Sequence, residues 1–232
     1  GYNNAIGYYA LRNNTTGNYN IANGATALTN NTTGSYNVAI GASSLEQNTE
    51  GSNNLGIGNA ALHVNLTGND NVAIGTNSMK SNTTGSSNVA MGVNTMFNNT
   101  TGGENSAFGY KALNKNITAT ENSAFGYSAL ENNTEGIKNT AVGAYSNYLN
   151  SNTDGNNNTA LGYQSLQGSV SSSNNVALGS NALYTASTGS KNVAVGSNAM
   201  YSNTSGEYNV ASGSSALFAN STGSYNVANG YD

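Results

Sequence analysis

The feature of this sequence that most constrains its fold is a short repeat. The motif Asn-x-Ala-x-Gly recurs along all 232 residues, and its glycines are 17 residues apart except for one interval of 19. These glycines are Gly7, Gly24, Gly41, Gly58, Gly75, Gly92, Gly109, Gly126, Gly143, Gly162, Gly179, Gly196, Gly213 and Gly230. A fixed short period predicts a solenoid, in which each repeat forms one coil that packs on its neighbours.

Other positions of the unit recur in phase with the motif. Leu or Met follows the motif glycine by four residues, and Asn-Thr-Thr-Gly or a variant precedes the motif, with Gly supplying positive φ in the turn. The 19-residue unit has Asn147 at the Leu position and Leu149 two residues later, so we place a two-residue insertion between 143 and 149. We expect a single repeat array over 1–232. Since both ends fall within a repeat, it would be an uncapped segment of a longer fibre or a head-to-tail filament subunit.

The period and the alternation within the motif predict the fold class. Seventeen residues are too few for a helix pair, which needs about 33, whereas Asn-Val-Ala-Ile-Gly alternates with the period of a β-strand. We therefore predict an all-β parallel β-solenoid, or β-roll, of about 13 coils. We expect Val38, Ile40 and Leu45 to fill the coil interior and Ala39 and Gly41 to face outward. The opposite assignment, a thin coil with Ala and Gly inside, is the alternative.

Matching residues of successive coils should lie directly above one another, about 4.8 Å apart. Identical amides at that spacing can hydrogen-bond along the stack, which satisfies side chains that would otherwise compete with the backbone. The predicted structural ladder comprises Asn37, Asn54, Asn71, Asn88, Ala39, Gly41, Gly58, Gly75, Leu45 and Leu62.

Composition disfavours several classes of function. Only 7% of residues are charged, against about 25% in typical domains, and the net charge of −4 is spread without a basic stripe, so we expect no nucleic-acid partner. No apolar stretch approaches the roughly 20 residues of a membrane span. The single His63 has no second His or Cys for company, and acidic residues are scattered. We therefore expect no catalytic, cofactor or metal site and no enzymatic activity.

Tyrosine is the side chain type best suited to binding in this chain, which has 15 of them. Tyr19 and Tyr36 are one coil apart, as are Tyr110 and Tyr127, so each pair should stack. Stacked rings stabilise a sheet face, and rings with neighbouring amides also suit sugar rings. We therefore consider a structural role first and glycan binding as the alternative.

Several turn asparagines lie in Asn-x-Ser/Thr sequons, among them Asn31, Asn82, Asn99 and Asn203. In a bacterial or phage protein these sequons would be by-products of the turn sequence. In a protein made by a eukaryotic cell they would be candidate N-glycosylation sites along one side of the array.

The repeats carry a family resemblance. Residues 37–41 and 71–75, both Asn-Val-Ala-Ile-Gly, resemble the head repeats of YadA-like trimeric autotransporter adhesins. The longer phrase around them, with Asn-Thr-Thr-Gly before and Leu after, is similar to arrays in phage tail fibres and bacterial surface fibres. The resemblance implies a left-handed β-roll, three chains side by side, and an extracellular, cell-surface or virion-borne fibre.

These observations favour a structural fibre or adhesin shaft that acts as a stiff spacer. We expect a homo-oligomer, either a trimer or a head-to-tail filament, and a host-surface glycan or protein as receptor. A glycan-binding module is the alternative. Ice binding is less favoured, because Thr32 and Thr33 are adjacent and only one of each such pair can face outward.

Overall fold

The computed structural model of the chain describes residues 1–147, 155–168, 171–186 and 188–231. The chain forms two compact units, Gly1–Thr118 and Ala119–Asp232. Every regular element in the described ranges is a three-residue β-strand, and none of these residues forms a helix long and apolar enough to cross a membrane. Within each unit every strand pairs in parallel with the next strand along the chain. The predicted fold class, an all-β parallel β-solenoid with 17-residue coils, is confirmed.

The first unit contains seven strands. They are β1 (Asn4–Ile6), β2 (Ile21–Asn23), β3 (Val38–Ile40), β4 (Leu55–Ile57), β5 (Val72–Ile74), β6 (Val89–Met91) and β7 (Ser106–Phe108). Neighbouring strands pair residue for residue at an offset of one repeat. Val38, Leu55 and Val72 are therefore aligned partners in three successive strands, which confirms the expected stacking of matching residues.

The second unit also contains seven strands. They are β8 (Ser123–Phe125), β9 (Thr140–Val142), β10 (Thr159–Leu161), β11 (Val176–Leu178), β12 (Val193–Val195), β13 (Val210–Ser212) and β14 (Val227–Asn229). The 19-residue unit lies between β9 and β10, and Thr140 still pairs with Thr159 there, so the strand register is preserved.

The same coil keeps its ordinary conformation as far as Asn147. This residue adopts the positive φ of the Leu position, and its N–H donates to Ser165 O at 2.7 Å. The ordinary spacing resumes at Gly155, seven residues before the next motif glycine, as in the other units. Leu149, which we considered for the apolar position, lies outside the described residues.

Each strand ends at a motif glycine because the backbone there allows no other residue without strain. Gly41 has a φ of 129°, and a Cβ placed on it would lie 2.5 Å from Gly58 O of the next coil. The missing side chain of Gly41 therefore points along the stack, neither inward nor outward. The turn that follows contains two further positive φ angles, 56° at Ser43 and 50° at Leu45. The left-handed winding that the resemblance implies stays a prediction.

The coil interior is thinner than we expected. Ala39 and Leu45 are fully buried, whereas Val38 is half-buried and Ile40 is 39% exposed. The favoured assignment of Val38 and Ile40 to the interior is therefore wrong, and the thin-coil alternative is correct for Ala39. A three-residue strand directs only its middle side chain inward. The Leu from the turn fills the space across from it, which leaves room for a methyl group alone.

The two buried positions repeat through both units. Ala22, Ala39, Ala73 and Ala90 occupy the strand position in the first unit, and Leu28, Leu45, Leu62, Met79 and Met96 occupy the turn position. Backbone hydrogen bonds also join successive coils outside the strands, such as Leu45 N to Ala61 O at 2.9 Å. The interior of each coil is thus closed by the same few contacts, so every coil depends on its neighbours.

Candidate functional site

The motif asparagines form a buried hydrogen-bonded ladder. Asn71 is fully buried, and its Nδ2 donates to Asn54 Oδ1 at 3.1 Å and to Gly85 O at 2.8 Å. Its Oδ1 accepts bonds from the backbone N–H and the Nδ2 of Asn88, both at 3.1 Å. Asn37 and Asn54 follow the same arrangement. The ladder therefore holds successive coils together and has no atom turned toward a ligand.

A second buried ladder runs beside the first and was missed in the sequence. It is built from the sequon asparagines, in which Asn48 Nδ2 donates to Asn31 Oδ1 at 2.7 Å and also to Gly51 O at 2.9 Å. Asn37 Nδ2 donates to the same Gly51 oxygen at 2.8 Å, so the two ladders converge on one carbonyl per coil. The exact recurrence of these asparagines every 17 residues was the signal that could have revealed this ladder.

The glycine of Asn-Thr-Thr-Gly is required for space rather than for its φ. Gly34 does not have the positive φ that we expected of this turn position, unlike Gly41. A Cβ on Gly34 would lie 2.5 Å from Asn31 Oδ1 and 2.8 Å from Asn48 Nδ2. The glycine thus lets both amide ladders approach the main chain.

N-glycosylation is incompatible with this arrangement. Asn31, Asn82, Asn99 and Asn203 are all fully buried. A glycan on Asn82 would replace a hydrogen of the Nδ2 that lies 2.7 Å from Asn65 Oδ1 and 2.9 Å from Gly85 O. The prediction of glycan acceptors at these four positions is therefore wrong for the folded chain, and the sequons are by-products of the ladder.

The predicted Tyr19–Tyr36 stack is present, but its geometry hides the ring faces. The ring centroids are 5.0 Å apart with an interplanar angle of 8°, and Tyr2 stacks on Tyr19 at 5.2 Å. The faces of the Tyr19 ring are therefore covered by its neighbours, and the edges and hydroxyl groups point to solvent. Sugar rings pack on aromatic faces, so this ladder is a poor glycan platform. Tyr110, 40% exposed, lies in the first unit beside the Lys111 ammonium.

The aromatic residues of the second unit are arranged in two ways. Tyr127 and Tyr145 meet edge-on at 62°, and Tyr145 and Tyr163 meet at 83°. Parallel stacks occur elsewhere in this unit and were not foreseen as ladders. They comprise Tyr184, Tyr201 and Phe218 in one row and Tyr208 and Tyr225 in another. Edge-on contact leaves ring faces more open than parallel stacking does, so Tyr163, half exposed, is the ring best placed to receive a ligand.

The ionisable groups form isolated pairs. His63 Nδ1 lies 3.8 Å from Glu46 Oε2 and 3.3 Å from Ser43 O. The Lys191 ammonium donates to the Tyr208 hydroxyl, and this hydrogen bond raises the pKa of Lys191. A side-chain hydrogen bond with Tyr9 likewise raises the pKa of Tyr8. Within the described ranges no three His, Cys, Asp or Glu side chains lie close enough together to hold a metal ion.

The turn threonines divide their roles between the main chain and solvent. Thr33 is exposed, whereas Thr32 is half-buried and its hydroxyl donates to Thr49 O at 2.9 Å. Only one threonine of the pair therefore faces solvent, so the side chains form one outward row instead of a broad flat face.

The largest unexplained surface is the outward side of the strands, which we call the outer strand face. It consists of the first and third residue of every strand. In the first unit it comprises Asn4, Ile6, Ile21, Asn23, Val38, Ile40, Leu55, Ile57, Val72, Ile74, Val89, Met91, Ser106 and Phe108. In the second unit it comprises Ser123, Phe125, Thr140, Val142, Thr159, Leu161, Val176, Leu178, Val193, Val195, Val210, Ser212, Val227 and Asn229. None of these residues in the fourteen described strands is charged.

Much of this uncharged face is accessible. Ile6 is 59% exposed, Leu161 is 51% exposed, and Ile40, Phe125 and Val195 are each 39% exposed. Contiguous exposed apolar surface of this kind marks a site of association. Comparisons of the chain with protein-family models, with curated proteins and with solved structures found no match.

Proposed function

We propose that this array is a structural fibre segment or adhesin shaft at a cell or virion surface, in which several copies pack side by side. The buried residues of each coil bond to adjacent coils and leave no cavity for a reaction. Each added coil lengthens the stack by about 4.8 Å, so the number of repeats would set how far a binding surface stands from its base. The extracellular placement and the trimeric state follow the family resemblance.

The outer strand face carries this proposal. If each of its fourteen positions in one unit exposes roughly 60 Å² of side chain, the unit offers about 800 Å², which is one partner's share of a stable interface. The occupant that fits best is a second copy of this chain. Only a β-solenoid with the same coil spacing can present a matching residue at every level, and an uncharged face needs an uncharged partner.

The mass of the chain in solution tests the proposal. We expect analytical ultracentrifugation to give an integer multiple of the chain mass of 23.6 kDa. Ile40→Lys should dissociate the assembly, because it places a charge in the outer strand face. The matched control is Thr33→Lys, which adds the same charge to an exposed position of the same repeat and should leave the assembly intact. A single-chain mass for the unmodified protein at about 100 μM would overturn the proposal.

Glycan binding remains a second candidate through one observation, the edge-on arrangement around Tyr163. An open ring face beside polar side chains can pack against a sugar ring, whereas the Tyr19–Tyr36 stack cannot offer its faces. We expect retention on a glycan array, if it occurs, to be lost in Tyr163→Ala and kept in Tyr36→Ala. Equal loss in both variants, or no retention by the unmodified chain, would remove this candidate.

A further inference from the structure

Two strands depart from the pattern of the outer strand face. β3 and β5 read Val-Ala-Ile, whereas β7 and β8 read Ser-Ala-Phe. In the first unit Ser106 is the smallest residue among the first strand positions, and Phe108 is the largest among the third positions. Both point outward from the same strand. The face therefore has a recess at Ser106 and a protruding ring beside it at Phe108.

The neighbouring coil shows no such step. Ser106 pairs with Val89 and Phe108 pairs with Met91, so moving one coil along the stack replaces the recess with a branched side chain and the ring with a flexible one. A surface that changes over one coil distinguishes one axial alignment of a partner from the next. A uniform Val-Ala-Ile face would not, because every one-coil shift would restore equivalent contacts.

The geometry of side-by-side packing determines what faces the recess. This step rests on the proposed function, in which the partner is another copy of this chain. When copies are related by rotation about the stacking direction, strands at the same level face each other in opposite directions. The first position of one strand then meets the third position of the other. Ser106 of one chain therefore faces Phe108 of its neighbour only if equivalent coils are level.

We infer that the chains associate in parallel with equivalent coils level, and that Phe108 of each chain fills the recess at Ser106 of the next chain. A shift by one coil would press Phe108 against Val89 and leave Ser106 opposite Met91, which combines overpacking with a void. The Ser123 and Phe125 pair of β8 gives the second unit a contact of the same kind. These pairs set the axial register of the assembly.

A mixing experiment tests the contact between chains. Ser106→Val and Phe108→Ile each install the residue found at that position in β3. We expect each variant alone to dissociate at a concentration at least tenfold higher than the unmodified chain, because Val faces Phe in one assembly and Ser faces Ile in the other. In mixed assemblies of the two variants the unfavourable pairings are replaced by Val–Ile and Ser–Phe. Mixed species should therefore exceed their statistical share in native mass spectrometry.

The double variant and a second strand complete the design. Ser106→Val with Phe108→Ile rebuilds Val-Ala-Ile and should recover the dissociation concentration to within about threefold, since the opposed volumes match again. Should a β7 variant fail to fold, Ser123→Val and Phe125→Ile repeat the test in β8. Assemblies that form but mix statistically would overturn the register inference alone. An unmodified chain that stays monomeric would overturn the proposed association and this inference with it.

Discussion

Removing one amide from the first buried ladder should weaken the array by an amount that its hydrogen bonds define. In Asn71→Ala, Asn54 Oδ1 keeps the backbone N–H of residue 71 as a donor, and Gly85 O keeps Asn82 Nδ2. The backbone N–H of Asn88 has no such replacement, because its acceptor is Asn71 Oδ1. A buried donor without an acceptor costs about 1–3 kcal/mol. The lost bonds and the small void add to this, so we expect a loss of about 2–4 kcal/mol.

Hydrogen exchange at the Asn88 amide measures this effect where it arises. Since every 1.4 kcal/mol is tenfold in an equilibrium, local destabilisation of about 3 kcal/mol should speed exchange of this amide by about 100-fold. Urea unfolding at a fixed protein concentration gives the loss for the whole array. Asn13→Ala is the matched control. It removes an amide that donates to Asn30 Oδ1 at 2.9 Å at an exposed position, and it should cost less than about 0.5 kcal/mol.

The second ladder supplies a graded comparison. Asn82→Ala leaves Asn65 Oδ1 without its donor, and a buried acceptor is more readily left unpaired than a buried N–H. We expect this variant to be less destabilised than Asn71→Ala. If Asn71→Ala unfolds at the same urea concentration as the unmodified chain and the Asn88 amide stays protected, the buried ladder does not hold the coils together and the reasoning fails.

The remaining predictions concern the interior, the strand ends and the sequons. Asn147→Leu should stabilise the array by about 1–3 kcal/mol in urea unfolding, because neither amide atom of Asn147 has a hydrogen-bond partner in the described structure and the other coils bury Leu or Met there. Gly75→Ala should cost more than about 2 kcal/mol, since φ is 134° and the new Cβ would lie 2.5 Å from Gly92 O, whereas Gly103→Ser should be nearly neutral because other coils carry Ser at that position. Secretion from a eukaryotic cell should yield folded chain without a glycan at Asn82, as read by intact mass, and folded glycosylated chain would contradict the buried ladder.

The period alone was enough to predict the stacking of the coils. A constant offset of 17 residues places Val38, Leu55 and Val72 in one row whatever the coil cross-section, and the strand pairing has that register. The direction in which the rows face could not be obtained in the same way. Strand alternation separates Ala39 from Val38 and Ile40, but it does not say which set is inside. The deciding factor is the small cross-section of the coil, already filled by Leu45.

The conformation of the turns also escaped the sequence. Leu45 has a φ of 50°, in a region where a bulky residue costs roughly 1–2 kcal/mol, and the equivalent Leu or Met repeats this conformation in other coils. Nothing in a Leu signals a left-handed backbone. Burial of that side chain returns about 2 kcal/mol, so the strain and the gain arise at the same residue. The second asparagine ladder was overlooked for a related reason, because Asn in a turn is already explained by its local preferences.

The 19-residue coil indicates which surface the array preserves. Within it the chain keeps β9 and β10 paired, with Thr140 against Thr159 and Val142 against Leu161, so the outer strand face of the second unit continues without a step. The irregularity falls instead on the turn side, where Asn147 takes an interior position with its amide unpaired. A mismatch inside one coil weakens only that coil and its two neighbours. A break in the outer strand face would shift every later level against a partner, so an array built for lateral association tolerates the first fault and not the second.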